Sequence, residues 1–476
     1  MLHRSGAIRC LLLVLASGFA VPAFSDTSEF TINDDIALNN AVSQARTEFL
    51  SGKPFTRLDA TLLIPNGDGT WRRGSYNPTT LAYPASCVKL AYLAAAMYWC
   101  RTNGHPYTYL DSSVRPMIEV SDNYATGLVV DAITGAPNLP SVTSSMDPAF
   151  LPWYNQRLYT ENYLSGRGLL ENQTIINKTY PTNSGSSPVG AESVVINSYR
   201  GGNRMQPKVS ASLMLEIVKG KIEPGANAYM TGLLSHDKWG DNSCFGFGVP
   251  PGSVYYNKVG VAYDTVEDIA YVRLPNGREF VLAAYSNAYV APYTNDPLPH
   301  DISVLGMFCE AVIEKTGLDV GNPPKLKVDN TSATFSLVGS WSVASASADK
   351  YGADYRYKSG GTGAASATWN LNVPETGYYE VCVLYPQGTN RATDAPFTVN
   401  HAGGSTLVRV NQQRVGGRWF RLGNFNFTAG TGSVVLTDAI SDGSKIVVAD
   451  AVKATKWPGG ASVEQWADYE PTSQGR

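Results

Sequence analysis

The 476-residue sequence contains few charged side chains and few of the side chains that bind metals. Charged residues make up 16% of the chain, and 37 Lys and Arg against 40 Asp and Glu leave a net charge of −3. A balance so close to neutral gives no argument for a nucleic-acid or polyanion partner. The five histidines and six cysteines show no zinc-site spacing, and no H-E-x-x-H motif or phosphate-binding loop occurs. The sequence therefore predicts a protein without a nucleic-acid partner, a metal or a cofactor.

The sequence also lacks a motif for histidine-based nucleophilic catalysis. His236 stands beside Asp237, but no G-x-S-x-G turn precedes them, and neighbours in sequence do not by themselves form a triad. Of the six cysteines, only Cys10 lies in the first 25 residues, so an odd number remains beyond them. A disulfide is compatible with export, but the spacing identifies no pair.

Only the start of the chain has the pattern of a targeting segment. Arg4 and Arg9 supply positive charge, and the following run, CLLLVLASGFAV, is apolar but too short to span a bilayer. Small residues precede Asp26, as they do at signal cleavage sites. We therefore expect residues 1–25 to be a signal peptide and the mature protein to be secreted or periplasmic. No later run is long and apolar enough to predict a membrane span.

Helical and strand patterns mix in the region before residue 320. Helices are predicted for KLAYLAAAMYWC (89–100), YATGLVVDAI (124–133), KVSASLMLEIVKGKI (208–222) and DISVLGMFCEAVIEKTG (301–317). Strands are predicted at 57–65, 266–274 and 278–286, the last two joined by the turn PNG. Paired strands at both ends with helices between them indicate one α/β (α+β) domain, residues 26–320, with an antiparallel sheet and a helical subdomain.

The pattern changes near residue 321. Residues 321–332 are rich in Pro, Gly and polar side chains, which is typical of a linker. From 333 to 457 the helical pattern disappears and short strands such as GYYEVCVLYP and GSVVLTD alternate with turns. That spacing predicts an all-β sandwich, followed by a polar tail at 458–476.

The segment YPASCVKLAY contains Ser86 and, three residues later, Lys89, at the start of an apolar helix. The S-x-x-K spacing alone is weak evidence, because Ser235 and Ser347 are also followed by a lysine at the same distance. The position of Ser86 is different, since a helix N-terminus surrounds its hydroxyl with free backbone N–H groups. A buried Lys89 on the same face would lose its proton easily and could take the proton of the serine. The alternative is a helix cap followed by an ordinary surface lysine.

Two further triplets follow in order. Ser121-Asp122-Asn123 stands before the predicted helix 124–133, where Ser121 could pass a proton to a leaving group and Asn123 could bind a substrate amide. Lys258-Val259-Gly260 enters a predicted strand, where Lys258 could polarise Ser121 and bind a carboxylate. Gly260 would let a substrate lie against this strand. The N–H groups of Ser86 and Val261 are a candidate oxyanion hole.

The order S-x-x-K, S-D-N and K-x-G resembles that of class A β-lactamases and penicillin-binding proteins. The similarity extends to MIEVSDNYATGLVVDAI and to DIAYVRLPNGREFVLAAYS, which look like that family's second motif and its last two strands. The resemblance implies a serine hydrolase domain that works through an acyl-enzyme on Ser86. Catalytic roles then fall to Ser86, Lys89, Ser121 and Lys258, and substrate contacts to Asn123, Gly260 and Val261.

The third motif and the deacylation machinery depart from that family. Val259 replaces the family's hydroxyl residue, so a hydrogen bond to a substrate carboxylate is lost. The family's water-activating glutamate is also missing, since Thr179 or Tyr180 stands where it is expected. Glu192 is the nearest carboxylate before the helix at 208, and a solvated loop position is the alternative interpretation. Without such a base, deacylation would depend on Lys89 or Tyr180, or the acyl-enzyme would persist.

The region 333–455 resembles the C-terminal domain of golvesin and xanthan lyase. The stretches that carry the similarity are YPQGTNRATDAPFTV, VRVNQQRVGGRWFRLGNFNF and VVADAVK. Such domains resemble carbohydrate-binding modules, so a polysaccharide is a possible partner. Trp341, Tyr385, Trp419 and Phe420 could stack on sugars, although aromatic residues in sandwich strands usually face the core, which we expect for most of them.

Two hypotheses for function remain from the sequence. The first is an exported serine hydrolase that acts on an amide, ester or β-lactam in a small-molecule or peptide cell-wall substrate, with β-lactamase, D-Ala peptidase and esterase unresolved. The second is a non-catalytic or weakly catalytic protein that binds a polysaccharide or the cell wall through the sandwich.

Overall fold

A computed structural model describes residues 29–51, 55–182, 185–240, 243–287 and 302–459. The predicted signal peptide and the tail from residue 460 onward lie outside the described residues. Among the helices of the described ranges, none combines the length and the apolar composition needed to cross a membrane.

The first domain contains ten α-helices and six strands within the described ranges. Its four predicted helices are all present and differ from prediction by a few residues at their ends. The elements are β1 (Ile32–Asp34), α1 (Ile36–Leu50), β2 (Leu58–Pro65), β3 (Trp71–Tyr76), α2 (Lys89–Thr102), α3 (Asp111–Glu119), α4 (Asn123–Thr134), α5 (Phe150–Arg157), α6 (Tyr159–Ser165), α7 (Gly190–Val194), α8 (Pro207–Val218), α9 (Asn227–Leu234), β4 (Val254–Ala262), β5 (Thr265–Arg273), β6 (Glu279–Asn287) and α10 (Leu305–Lys315).

These strands form one sheet in the order β1-β3-β2-β6-β5-β4. All neighbouring pairs are antiparallel except β1 and β3, which are parallel. The α/β prediction is therefore confirmed, with one parallel pair at the edge of the sheet. A strand of three residues is too short to show a period-2 pattern, so the sequence did not reveal β1.

Apolar side chains cover both faces of this sheet. One core joins α2 and α8 to the sheet, and the other joins α1 and α10 to its opposite face. Helix α1 was not predicted. Its start is fixed by Asp35, whose carboxylate accepts hydrogen bonds from the N–H groups of Ala37 and Leu38. Gly74 lets this helix approach β3, since a Cβ atom at Gly74 would lie 2.5 Å from the Cβ of Leu38.

The second domain is all β, as predicted. Its elements are β7 (Lys325–Asp329), β8 (Phe335–Val338), β9 (Ser342–Ala344), β10 (Tyr355–Ser359), β11 (Ser366–Asn370), β12 (Gly377–Leu384), β13 (Ala395–His401), β14 (Gly404–Val410), β15 (Phe420–Phe427), β16 (Ser433–Thr437), β17 (Ile446–Ala449) and β18 (Ala451–Lys456). These strands form sheets of three, five and four strands, in the orders β17-β10-β9, β14-β13-β16-β11-β8 and β15-β12-β18-β7.

The predicted linker at 321–332 is wrong in its middle part, which forms a strand. Residues Lys325–Asp329 form β7, which pairs with β18 along its whole length. The sandwich therefore begins at Lys325, and only the few residues before it connect the domains. The alternation in KLKVD is too brief to stand out beside the preceding Gly-Asn-Pro-Pro.

The aromatic residues singled out in the sandwich belong mainly to its interior, as expected. Tyr385 and Trp419 are buried, whereas Trp341 and Phe420 are half-buried and pack against the core. Trp419 also leaves its own domain, because its indole N–H donates a hydrogen bond of 2.7 Å to Glu310 on α10.

A buried charge cluster joins the two domains at Glu310. Its carboxylate lies 3.1 Å from the Nζ of Lys453, 3.4 Å from that of Lys327 and 3.6 Å from that of Lys325, all three from the sandwich. Burial alone would raise the pKa of Glu310, but the lysines hold this pKa well below its ordinary value. The cluster therefore keeps one carboxylate ionised inside the domain interface.

We predict that Glu310→Ala lowers the free energy of unfolding by about 3–5 kcal/mol, because Lys453 would then be buried without its partner. Chemical denaturation followed by tryptophan fluorescence measures this. The matched control is Glu48→Ala, which removes an exposed carboxylate paired with Lys315 and should cost less than about 1 kcal/mol. Equal losses in the two variants would contradict the importance of the buried cluster.

Candidate active site

Ser86 lies in a 3₁₀ turn that leads directly into α2. Two hydrogen bonds of Cys87 fix this turn. Its N–H donates to the carbonyl of Pro84 at 2.8 Å, and its thiol donates to the backbone carbonyl of Lys258 at 3.1 Å. Ser86 is half-buried, whereas the residues on either side of it are buried. The turn therefore fixes the backbone and leaves the Ser86 hydroxyl accessible.

Lys89 is fully buried one turn after Ser86. Its Nζ is in hydrogen-bond contact with the backbone oxygen of Ser121, lies 3.1 Å from the Oγ of Ser121, and lies 2.8 Å from the Oδ1 of Asn123. Burial and then the charge of Lys258 lower the pKa of Lys89 to about 6. At neutral pH the amine is therefore mostly unprotonated. The two N–H bonds of the neutral amine can be donated to the backbone oxygen of Ser121 and to the Oδ1 of Asn123. The lone pair of the nitrogen can then accept a proton from a hydroxyl group.

Lys258 approaches the same hydroxyl from β4. Its Nζ lies 3.0 Å from the Oγ of Ser121 and 3.0 Å from the backbone oxygen of Val259. Burial lowers the pKa of Lys258 to about 8, so most of its population stays protonated at neutral pH. Two lysines with different protonation states therefore meet at Ser121, which suits this hydroxyl to proton transfer.

The loop between α3 and α4 positions Ser121 and Asn123. Asp122 caps α4, since its Oδ1 accepts a hydrogen bond of 2.6 Å from the N–H of Ala125. This cap turns the residues on either side of Asp122 toward Lys89. Asn123 is also held from the far side, because its Nδ2 donates to the backbone carbonyl of Tyr180 at 2.7 Å.

Backbone strain is concentrated around these residues. Four described residues other than Gly and Asn have a left-handed φ: Ala85 at 43°, Ser121 at 58°, Tyr263 at 54° and Val415 at 64°. The first precedes Ser86, the second is a site residue, and the third follows the end of β4. Such conformations cost about 1–3 kcal/mol each and persist where the surrounding structure imposes them.

The structure assigns Gly260 a different contact from the predicted one. A Cβ atom at Gly260 would lie 2.6 Å from the carbonyl oxygen of Pro84 and 3.0 Å from the N–H nitrogen of Cys87. The space beside this glycine is thus occupied by the Ser86 turn, where a substrate had been expected. Val259 and Val261 pack into the core with α1 and α10. The oxyanion role of the Ser86 and Val261 N–H groups stays a prediction.

The interpretation of Glu192 as a solvated loop carboxylate is wrong. Glu192 is buried and forms an ion pair with Arg157, and its second oxygen accepts the hydroxyl of Tyr180. Lys178 lies 3.6 Å away. These partners come from α5 and from the segment before Pro181, so sequence spacing did not predict them. They leave Glu192 poorly placed to activate a water molecule, and they also engage the hydroxyl of Tyr180.

Sequence reasoning missed Glu267, a buried carboxyl group next to the site. It lies on β5 opposite Gly260 and is fully buried. Burial raises its pKa well above the ordinary value. The sequence DTVEDIAYV predicts only a strand. Its neighbours on the strand are Val266 and Asp268, so the alternation of apolar and polar residues did not distinguish Glu267.

Comparisons with known proteins agree with this two-part architecture. Residues 99–304 match the Beta-lactamase enzyme family and residues 326–456 match the Golvesin C-terminal domain. The first match includes Ser121, Asn123 and Lys258 but begins after Ser86 and Lys89. Among solved structures, a β-lactamase from Sphaerobacter thermophilus is 17% identical with a TM-score of 0.40, covering 60% of this chain and 99% of its own.

Two relatives match different shares of this chain. A xanthan lyase from Bacillus sp. (strain GL1) is 39% identical over 142 residues, which are 29% of this chain and only 15% of that protein. Golvesin from Dictyostelium discoideum is 33% identical over 439 residues, which cover 90% of this chain and 75% of golvesin. This chain therefore belongs to the golvesin family, with a β-lactamase-family domain followed by a golvesin C-terminal domain.

Proposed function

We propose that this protein is a serine hydrolase that forms an acyl-enzyme on Ser86. The observation that carries the proposal is the environment of Lys89, a buried amine whose pKa is lowered to about 6 and which stands one turn from Ser86. A base near neutrality can take the hydroxyl proton of the serine at physiological pH. Membership of residues 99–304 in a β-lactamase family supports the same class of chemistry.

The proposed acylation begins with proton transfer from the Ser86 hydroxyl to Lys89. The Ser86 oxygen then attacks the carbonyl carbon of an amide, ester or β-lactam, and the carbonyl oxygen takes up the negative charge. The N–H groups of Ser86 and Val261 are the proposed donors to this oxyanion. When the bond to the leaving group breaks, Ser121 donates its proton to that group and recovers one from Lys89, which balances the transfer.

Lys258 and Asn123 are proposed to assist these proton transfers and to bind the substrate. Protonated Lys258, at 3.0 Å from the Ser121 oxygen, favours transfer of the hydroxyl proton to the leaving group. Its charge also suits it to bind a substrate carboxylate. Lys258 would contribute more to this binding here, because Val259 has no hydroxyl to donate a hydrogen bond. Asn123 connects Lys89 to the backbone of Tyr180 and provides an amide for substrate contact.

Deacylation is proposed to be slow. Glu192 forms an ion pair with Arg157 and accepts the hydroxyl of Tyr180. Neither Glu192 nor Tyr180 is therefore free to activate water. Lys89 is then the remaining base beside the acyl group, and it must serve both half-reactions. The expected behaviour is therefore closer to a penicillin-binding protein than to a rapid β-lactamase.

We predict that the wild-type protein is labelled covalently by a fluorescent penicillin or fluorophosphonate, and that Ser86→Ala loses at least about 99% of the labelling because the nucleophile is gone. After removal of free penicillin the label should remain for minutes or longer, since water activation is poor. Gel fluorescence against time measures both the extent of labelling and its persistence.

Ser235→Ala is the matched control, since Ser235 belongs to another S-x-x-K sequence, is exposed and should label like wild type. Equal labelling of wild type and Ser86→Ala would overturn the nucleophile. Loss of the penicillin label within seconds would leave the nucleophile in place but contradict slow deacylation.

We also propose that the protein is exported and that its sandwich binds a polysaccharide. The apolar segment at 10–21 and the 142-residue similarity to a xanthan lyase support this second proposal. Full-length protein is expected to co-sediment with at least one of xanthan, insoluble glucan and peptidoglycan, and soluble fragments of that polysaccharide should compete. Recovery of all the protein in the supernatant with each of them would contradict polysaccharide binding.

A further inference from the structure

Exposed apolar residues stand next to residues of the Ser86 site in two stretches of the chain. The most exposed are Tyr263 at 75% and Val120 at 67%, followed by Tyr124 at 49% and Leu128 at 45%. Single exposed apolar residues are common on proteins, but several next to the residues of one site indicate a surface that is covered when a ligand binds.

One side is formed by two tyrosines. Tyr83 lies three residues before Ser86, and Tyr263 lies just after β4, two residues beyond Val261. Their ring centroids are 5.8 Å apart at an angle of 52°. This contact links the Ser86 turn to the β4–β5 hairpin, with the Tyr263 ring still largely open to solvent. The left-handed φ of Tyr263 shows that its backbone is held in place at a cost.

The other side is formed by the chain that carries Ser121 and Asn123. Val120 immediately precedes Ser121, and Tyr124 immediately follows Asn123. Leu128 is one turn further along α4, so its side chain neighbours that of Tyr124. The acidic residue beside Val120 is Glu119, and it is paired with Arg115 at 2.7 Å. Of the carboxylates on this side, Glu119 is paired with Arg115 and Asp122 accepts the N–H of Ala125 as the cap of α4.

We propose that the acyl group transferred to Ser86 is apolar, either an aryl or an alkyl group, and that it packs between Tyr263 and Tyr124. This inference rests on the proposed acylation of Ser86. It goes beyond it by naming the class of substrate. The position of the apolar residues, next to the nucleophile and the proton-transfer residues, favours a substrate group over a protein partner, which would need no contact with either.

The experiment compares 4-nitrophenyl acetate with 4-nitrophenyl phenylacetate, which share a leaving group and differ in the acyl group. The rate constant for the burst of nitrophenolate, divided by each ester's alkaline hydrolysis rate, gives the preference of the enzyme. Wild type should prefer phenylacetate by about tenfold or more, since burying each added carbon is worth roughly fourfold. Tyr263→Ser and Tyr124→Ser should each reduce the preference at least about threefold.

Tyr378→Ser is the control, because Tyr378 is an exposed tyrosine of the sandwich and its loss should leave the preference unchanged. Circular dichroism verifies that the variants fold. The proposal is overturned, with acylation left intact, by either of two results. One is a phenylacetate-to-acetate preference near one in wild type, and the other is a preference that persists in both Tyr263→Ser and Tyr124→Ser. An acetate burst that persists in Ser86→Ala overturns acylation itself and the inference with it.

Discussion

Two buried lysines, Lys89 and Lys258, contact one hydroxyl, that of Ser121, and the chemistry proposed for Ser86 requires both contacts. The Nζ of Lys89 lies 3.1 Å and the Nζ of Lys258 lies 3.0 Å from this oxygen. Burying an ammonium costs several kcal/mol, and a second cation nearby adds to that cost. The protein meets it by leaving Lys89 mostly neutral. The resulting base is thermodynamically costly for folding and useful for acylation, the trade-off expected at active sites.

The scaffold holds this contact through three separate stretches of chain. Helix α2 carries Lys89, the α3–α4 loop carries Ser121, and the edge strand β4 carries Lys258. Gly260 allows β4 to touch the Ser86 turn, and Asp122 caps α4 so that its neighbours face the site. The left-handed φ of Ser121 shows that packing from several elements overrides the local preference of the backbone.

Local patterns predicted what local forces determine. The amphipathic helices, the last strands of the sheet and the three motifs around Ser86, Ser121 and Lys258 could all be read from neighbouring residues. The environment of Glu192 could not, because Arg157 lies 35 residues earlier and meets it only after folding. Strand β7 was hidden by the prolines before it, and the raised pKa of Glu267 depends on a burial that no single strand pattern reveals.

The proposed acylation requires Lys89 to be neutral in the folded protein at physiological pH. Nuclear magnetic resonance of protein labelled with ¹³C at lysine Cε, recorded against pH, measures this directly, and Lys89→Met identifies the signal. We predict one lysine that titrates near pH 6 and whose signal is missing from the variant. A Lys89 signal that titrates near the ordinary lysine pKa of about 10.4 would contradict it.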